Sequence, residues 1–574
     1  MLINQLNQDL SLCAGQLGWP ADRIAVTYSD RPDLCQFQCN APFRLAKELH
    51  RPPMAIATEL AEAFARKFNY AAAAPAAPGF LNFTVTDNAL SRQLKEFNED
   101  SRCGVEKTPA PRRIIIDYGG PNIAKPLHVG HLRSAVIGES LKRLARFLGH
   151  QVYGDVHLGD WGTQMGLVIA GLEERYDLSG YFGSSLPRPR FTLDDLNEIY
   201  PQASARAKTD EAFREKAQEI TCRLQNREKG YYTLWQDVCE VSVSDIQKDY
   251  RKLDVEFDLW YGESTCDRYV DPMLQSMAEK GLTYESDGAL VMDVNQPEDE
   301  KPMPPILLRK SNGARLYAST DLATLCQRQE EFAPDEVWYV VDARQALHLE
   351  QVFRCAKKSG IVPKETRLIH IPFGTVNGKD GKPFKTREGG TMKLKDLIAM
   401  ISEAAEQLLS PGALTQDPQA PRKVGCAALK FGDLVCNRIK NYIFDLEKFI
   451  QFDGKTGSYL LYTLVRIRSL LAKAESDGTG IDPVITTQEE RDVLMKLQLL
   501  ATSYQQAYEE KLPNYICEAV YDLANAYNVF YGSCRILSEE NQQKKNTWLA
   551  LSRAVGEAME QALFVLGIEP VPAM

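Results

Sequence analysis

At 574 residues the chain is several times the length of a typical domain, so about two to four domains are expected. With 44% hydrophobic and 25% charged residues and no long low-complexity tract, it has the composition of an ordinary soluble globular protein. A formal net charge of −10 argues against indiscriminate nucleic-acid binding and leaves room for a local basic face that attracts phosphate.

The first hundred residues combine helical patterning in FRLAKELHRPPMAIATELAEAFARKF with an alanine/proline stretch and an alternating strand, FLNFTVTD. They are expected to form a small α/β domain, residues 1–105, closed by the linker CGVEKTPAPRR. RRIIIDY then reads as a buried strand. GHLRSAVIGESLKRLARFLG reads as a helix, with Ile137, Leu141, Leu144 and Leu148 on one face and Gly149 ending it, and QVYGDVHLGD as the next strand of a βαβ unit. Residues 175–285 look like a helical, charged insertion between two halves of a sheet. The sheet pattern resumes at GALVMDV and at PILLRKSNGARLYAS, with a hairpin expected at Asn312-Gly313, and continues through EVWYVVDA and RLIHIPFGTV. Beyond residue 400 nearly everything reads as helix. The fold class is therefore α/β: a Rossmann-like parallel-sheet core over 106–400 with the insertion, the small N-terminal α/β domain, a helical connecting segment 401–455 and an all-helical domain 456–574.

Thirteen cysteines are scattered from Cys13 to Cys534 without a CxxC pair, which suits reduced cytosolic thiols rather than a disulfide framework or a structural zinc site. The start, MLINQLNQDLSLCAG, lacks the basic and apolar regions of a signal peptide, and no apolar run approaches the roughly 20 residues of a membrane span. A cytoplasmic protein with no membrane or DNA partner is expected.

The stretch PNIAKPLHVGHLRS, Pro121 to Ser134, carries two of seven histidines, His128 and His131, around Gly130. As zinc ligands they would need partners, and His50, His150, His157, His348 and His370 show no metal-site spacing. As two packed structural imidazoles they would need no glycine between them. A third use fits their place, where the first strand of a nucleotide-binding sheet gives way to a helix. There a helix N-terminus favours anions, a glycine lets a base or phosphate approach, and imidazole N–H groups donate to developing charge.

On these fourteen residues the chain resembles the arginyl-tRNA synthetases, class I enzymes whose HIGH signature HVGH matches. HLGDWGTQMG resembles the second core segment of that family. LYASTDLAT supplies Tyr317 and Asp321 one helical turn apart, VDARQALHLEQ supplies Gln345 and His348, and NGKDGKPFKTREGG stands in the place of the KMSKS loop. LLYTLVRIRSLL and YDLANAYNVFYGSCRIL resemble the helical anticodon-binding domain, and FQCNAPFRLAKEL with APGFLNF the extra N-terminal domain. The resemblance covers essentially the whole chain.

It implies ligation of L-arginine to tRNA(Arg) through an arginyl-adenylate, at the expense of ATP with Mg2+, with no structural zinc, by a monomer whose activation step requires bound tRNA. His128 and His131 would stabilise the α-phosphate, and Lys379, Lys382 and Lys385 the pyrophosphate. Asp117, Gly120, Asn122, His131, Tyr317, Asp321 and Gln345 would hold arginine. Lys125, His128, Gly130, His131, Asp160, Lys382 and Lys385 would contact ATP. Phe37, Gln38 and Asn40 would meet the D-loop side of the tRNA. Arg438, Lys440, Tyr459, Tyr462, Arg466 and Tyr527 would meet it further on, in a region where 422–468 carries nine Lys/Arg against four Asp/Glu. Two departures stand out. Gly119-Gly120 replaces a serine common before the Pro-Asn, and the lysine loop reads PFKTR, with Arg387 at the second lysine of the signature. The remaining alternatives are another adenylyl transferase with an HxGH loop, against which the Tyr317/Asp321 pair and the N-terminal domain argue, and a non-catalytic synthetase-like RNA binder, which loss of His128, His131 or Asp321 would have favoured.

Overall fold

The computed structural model describes residues 1–310, 316–378, 381, 392–474 and 478–574. Near the N-terminus, α1 (Leu2–Gln16), α2 (Ala41–Leu49) and α3 (Pro53–Ala65) accompany β1 (Val26–Tyr28), β2 (Phe37–Cys39), β3 (Ala71–Ala76) and β4 (Phe80–Val85). The strands form an antiparallel sheet in the order β1-β2-β4-β3. The two-residue period of β4 turns Leu81, Phe83 and Val85 inward, and that of β2 does the same for Phe37 and Cys39. The alanine/proline stretch becomes β3, an edge strand where Pro75 is tolerated. A helix, α4 (Asp87–Glu99), capped by Thr86, leads out of this unit.

The core begins with β5 (Arg113–Tyr118), α5 (Val129–Phe147) and β6 (Gln151–Asp155). Ile114, Ile115 and Ile116 are all buried, as in a parallel strand covered on both faces. Helices α6 (Thr163–Arg175), α7 (Leu193–Arg206), α8 (Glu211–Gln225), α9 (Lys229–Lys252) and α10 (Glu263–Glu279) follow. Then come β7 (Thr283–Ser286), β8 (Ala289–Met292), β9 (Ile306–Arg309), α11 (Tyr317–Phe332), β10 (Glu336–Val340), α12 (Ala346–Ser359) and β11 (Arg367–His370). The parallel sheet has the order β11-β10-β5-β6.

Two expectations change here. GALVMDV and PILLR do form strands, but β7, β8 and β9 make a separate antiparallel sheet instead of extending the parallel one. Alternation identifies a strand without naming its partners. Asn312-Gly313 lies outside the described residues, and the segment beyond it enters a helix: Leu316 is the N-cap of α11 and Tyr317 its first residue.

Among the described residues the remainder is mostly helical, with a short parallel pair, β12 (Val376–Asn377) and β13 (Tyr442–Ile443). Between and after them run α13 (Leu394–Glu406), α14 (Pro411–Gln416), α15 (Ala420–Leu434), α16 (Leu446–Phe449), α17 (Gly457–Lys473), α18 (Gln488–Glu510), α19 (Asn514–Ser533) and α20 (Gln542–Val565). Among the described residues no helix is long and apolar enough to cross a membrane.

Candidate active site

From β5 the chain winds outward to β6, and from β10 outward to β11, so the C-terminal ends of β5 and β10 flank a topological switch point. Ser134 of α5 ties the two ends together. Its Oγ accepts from the Gly119 N–H (2.8 Å) and donates to the Val340 carbonyl (2.6 Å). Gly119 itself has φ +80°, and a Cβ there would come within 2.9 Å of Tyr250 and Phe257, so glycine is required.

The two histidines form a reciprocal cap at the start of α5. His128, the N-cap, accepts the Gly130 N–H at Nδ1 (3.0 Å), and His131 accepts the His128 N–H at its own Nδ1 (3.0 Å). A ring nitrogen that accepts an N–H carries no proton, so each neutral imidazole keeps its hydrogen on Nε2. Burial pushes both pKa values down, that of His131 to about 3, and the nearby Lys125 charge works in the same direction. The ring centroids are 4.0 Å apart. The turn thus presents two adjacent neutral N–H donors at a helix N-terminus, an arrangement suited to phosphate and not to a metal, whose lone-pair ligands the backbone has already taken. Gly130 is required in a second way, since a Cβ there would lie 2.7 Å from the His128 ring.

Carboxylates crowd the neighbouring space. Asp117, one residue before the end of β5, stands in register with Asp155 at the end of β6. Asp321, in the second turn of α11, holds His348 of α12 at 2.5 Å, which raises the pKa of that imidazole. Glu263, the first residue of α10, is pushed up to about 8 by burial and by the charges of Asp160 and Asp321. Against these acids, Arg328 of α11 is buried and donates to Asp117 and to Asp155, each at 2.6 Å. Those two carboxylates lie beside His157 within metal-ligand reach of one another, but the guanidinium occupies the position a cation would take. Tyr317 is 77% exposed on the opening turn of α11, and Asn122, Gly120 and Gln345 are also exposed at the ends of β5 and β10.

Several sequence assignments change. Asp160 is not free for ATP: its Oδ1 accepts the Ser264 N–H (2.9 Å) and its Oδ2 the Ser264 hydroxyl (2.6 Å), so it caps the start of α10. Lys125 rests its ammonium 4.4 Å from the centre of the Tyr200 ring of α7. Phe37 is fully buried by the inward period of β2, and Tyr527 is fully buried with its hydroxyl on Ser552, so neither reaches a tRNA. Arg438 is buried and spends its donors on the Lys511 and Pro372 carbonyls. Gln38 is half-buried on Asn82, and Asn40 is exposed. Tyr459 donates to Asn525 (2.7 Å), while Lys440 and Tyr462 are exposed, the latter with the Arg466 guanidinium 4.8 Å over its ring.

Much of the basic excess over 422–468 is also paired, in the interior or with acids at the surface. Lys430 is buried on the Gly567 carbonyl, and Arg422, Lys423, Lys455 and Arg468 pair with Glu569, Asp417, Glu518 and Glu560. Lys379, Lys382, Lys385 and Arg387 lie outside the described residues. The segment after that loop is fixed to the histidine turn, and the one before it to α5. Leu394 N–H donates to the Leu127 carbonyl, and Val129 N–H to that of Met392. Arg133 of α5 holds the Gly374 carbonyl (2.8 Å).

Sequence reasoning missed Glu263, Asp155, Arg328, Ser134 and Arg133. Glu263 carried the only local signal, an acid one residue past a glycine at a helix start. The others act through contacts between elements far apart in the chain.

Three family patterns match the chain in order. They are "Arginyl tRNA synthetase N terminal domain" over 1–85, "tRNA synthetases class I (R), catalytic domain" over 94–446, and "DALR anticodon binding domain" over 460–574. An arginine–tRNA ligase of Alkaliphilus oremlandii is 45% identical over 99% of both chains. The crystal structure of the arginyl-tRNA synthetase from Plasmodium falciparum superposes with a TM-score of 0.82 at 24% identity, covering 100% of this chain and 99% of that one. The Thermus thermophilus arginyl-tRNA synthetase gives 0.80 at 21%, covering 100% of each.

Proposed function

The chain belongs to the arginyl-tRNA synthetase family and charges tRNA(Arg) with arginine at the expense of ATP, and on that premise we propose how its residues divide the work. The observation that carries the proposal is the carboxylate cage beside a turn of neutral imidazoles. Asp321 and the open oxygen of Asp117 receive the substrate guanidinium, whose planar fork matches carboxylates, and Glu263, protonated near neutral pH before substrate binds, joins them by giving up its proton when the cation enters. Tyr317 closes over it, and Asn122, Gln345 and the Gly120 backbone hold the amino-acid end.

The carboxylate of arginine is the nucleophile. It attacks the α-phosphorus of ATP, the bond to the β-phosphate oxygen breaks, and pyrophosphate leaves with that electron pair. No side-chain nucleophile is needed, so the protein contributes position and charge stabilisation. The Nε2–H groups of His128 and His131 donate to the α-phosphate oxygens as charge builds there. ATP enters as its Mg2+ complex, the ion carried mainly by the phosphates. The lysines at 379, 382 and 385 neutralise the departing pyrophosphate, a reading supported by the anchoring of the flanks of their loop on the histidine turn and on α5.

Bound tRNA is read as a requirement of the activation step. Its D-loop side meets Gln38 and Asn40 in the unit 1–105, and further on Lys440 supplies an exposed cation and Tyr462 an exposed ring held by the half-buried Arg466. A site completed by one chain supports a monomer, and we place it in the cytoplasm.

The test is Asp321→Asn. It is expected to raise the KM for arginine about 10- to 10²-fold, because a charged hydrogen bond is worth about 1.5–3 kcal/mol, while the KM for ATP stays within about twofold. An unchanged KM for arginine would remove Asp321 from the cage.

A further inference from the structure

Asp117 and Asp155 occupy matching positions on adjacent parallel strands, so their carboxylates emerge side by side on one face of the sheet. Two such anions in a buried place repel, and one proton shared between them is the usual outcome. Here a single nitrogen, Nη2 of Arg328, lies 2.6 Å from an oxygen of each. The guanidinium is fully buried and 5.4 Å from the centre of the Tyr339 ring, and the two carboxylates drive its pKa further up. His157 flanks the pair, its Nδ1 3.9 Å from Asp155 and its Nε2 3.3 Å from the Thr324 hydroxyl. Burial raises the pKa of the Asp117 carboxyl, the charges of Arg328 and then His157 pull it part of the way back, and Asp155 adds to the rise. Asp321 lies seven residues before Arg328 on α11, so the same helix face carries both groups.

We propose that Arg328 is a positioning residue for amino-acid recognition: an internal guanidinium that keeps Asp117 available as an anion by relieving its repulsion with Asp155. This rests on the reading of Asp117 as an arginine-facing carboxylate. Arg328 and the substrate carry the same head group, and both bind the acids at the end of β5, one from within and one from the crevice. A carboxylic acid holding the shared proton would be a donor facing a donor, so the proton must leave before arginine binds. Arg328, 2.6 Å from an oxygen of each acid, favours the loss of that proton before the substrate arrives.

The charged and titratable groups facing the pair are Arg328 and Asp321 from α11, His157 from the loop after β6, Tyr339 from β10, and Tyr261 before α10, whose pKa Asp155 raises. Of these, only Arg328 is a permanent cation.

The experiment measures protons released when arginine binds the full-length enzyme, by calorimetry at pH 7 in buffers of different ionisation enthalpy. Arg328→Met is expected to release about one proton more than the unaltered enzyme and to bind arginine about tenfold or more weaker, the loss shrinking about tenfold per pH unit as pH rises. Adding Asp155→Asn removes the repelling charge and is expected to return proton release to the unaltered count and recover most of the affinity. A purely structural role would make the double variant no better than the single one.

A folded Arg328→Met enzyme with unaltered proton release would overturn the proposal, as would an excess proton that persists in the double variant. If the single variant does not fold, the double variant decides. Failure of both to fold also overturns it, because the guanidinium would then be needed for packing and not for its charge. Asp117→Asn separates the premise: unchanged arginine affinity would remove Asp117 from the site, whereas weakened affinity alongside a null result for Arg328→Met would leave the site and remove the clamp.

Discussion

A single ring nitrogen decides what the histidine turn can do. With Nδ1 of His131 accepting a backbone N–H, the reactive end of the ring is a neutral N–H donor, and its depressed pKa keeps it neutral throughout the range in which enzymes work. Asparagine places an oxygen near the Nδ1 position but has nothing at Nε2. His131→Asn is therefore expected to keep the helix cap and melting temperature while lowering the rate of adenylate formation about 10²–10³-fold, as measured in single turnovers. A loss below about tenfold would show that the donor is not used. The pair itself was legible in PNIAKPLHVGHLRS, because spacing and glycine lie within four residues of one another. Its tautomer was not, since that depends on which backbone N–H each ring meets in space. Glu263 and Arg328 were invisible for the same reason: an acid beside a glycine and a basic residue on a helix are common, and only the folded chain brings Glu263 beside Asp160 and Asp321 and Arg328 onto Asp117 and Asp155.

At the scale of elements, α5 matters most, because it carries the histidines at one end and lies flat on β5. Its buried residues surround most of its circumference, which explains why a simple amphipathic pattern underestimated it. The close approach occurs at Gly138, where a Cβ would meet the Tyr118 ring at 2.2 Å. Gly138→Ala is expected to cost about 1–3 kcal/mol by overpacking, seen as a lower melting temperature, and to slow activation by shifting the helix N-terminus. Unchanged melting would mean that the helix has room to move. Strands with continuous apolar runs, β5 and β10, were plain in the sequence, as was the βαβ unit. The separation of β7, β8 and β9 into their own sheet was not, because pairing is decided by where the chain returns and not by the strand's own residues.

For the whole molecule, the telling feature is how charge is spent. Much of the basic excess of 422–468 is used in joining parts of the chain, as when buried Lys430 of α15 donates to the Gly567 carbonyl and Arg438 to the carbonyls of Pro372 and Lys511. A count along the sequence credited to an RNA surface several cations that the fold pairs with other parts of the chain, and it could not tell these from Lys440, which stays exposed. The acids behave in the opposite way: distributed among β5, β6, α10 and α11, they converge on one crevice with one internal guanidinium. Such a cage selects for charge. Citrulline, which matches arginine in shape but not in charge, would leave buried carboxylates unpaired, and mismatches of this kind discriminate by about 10⁴–10⁵. The direct measurement is pyrophosphate exchange into ATP with tRNA(Arg) present, comparing arginine with citrulline and lysine. The account predicts exchange with arginine and kcat/KM lower by about 10⁴ or more for citrulline. Citrulline within about a hundredfold of arginine would contradict it, because the site would then be reading shape and not charge.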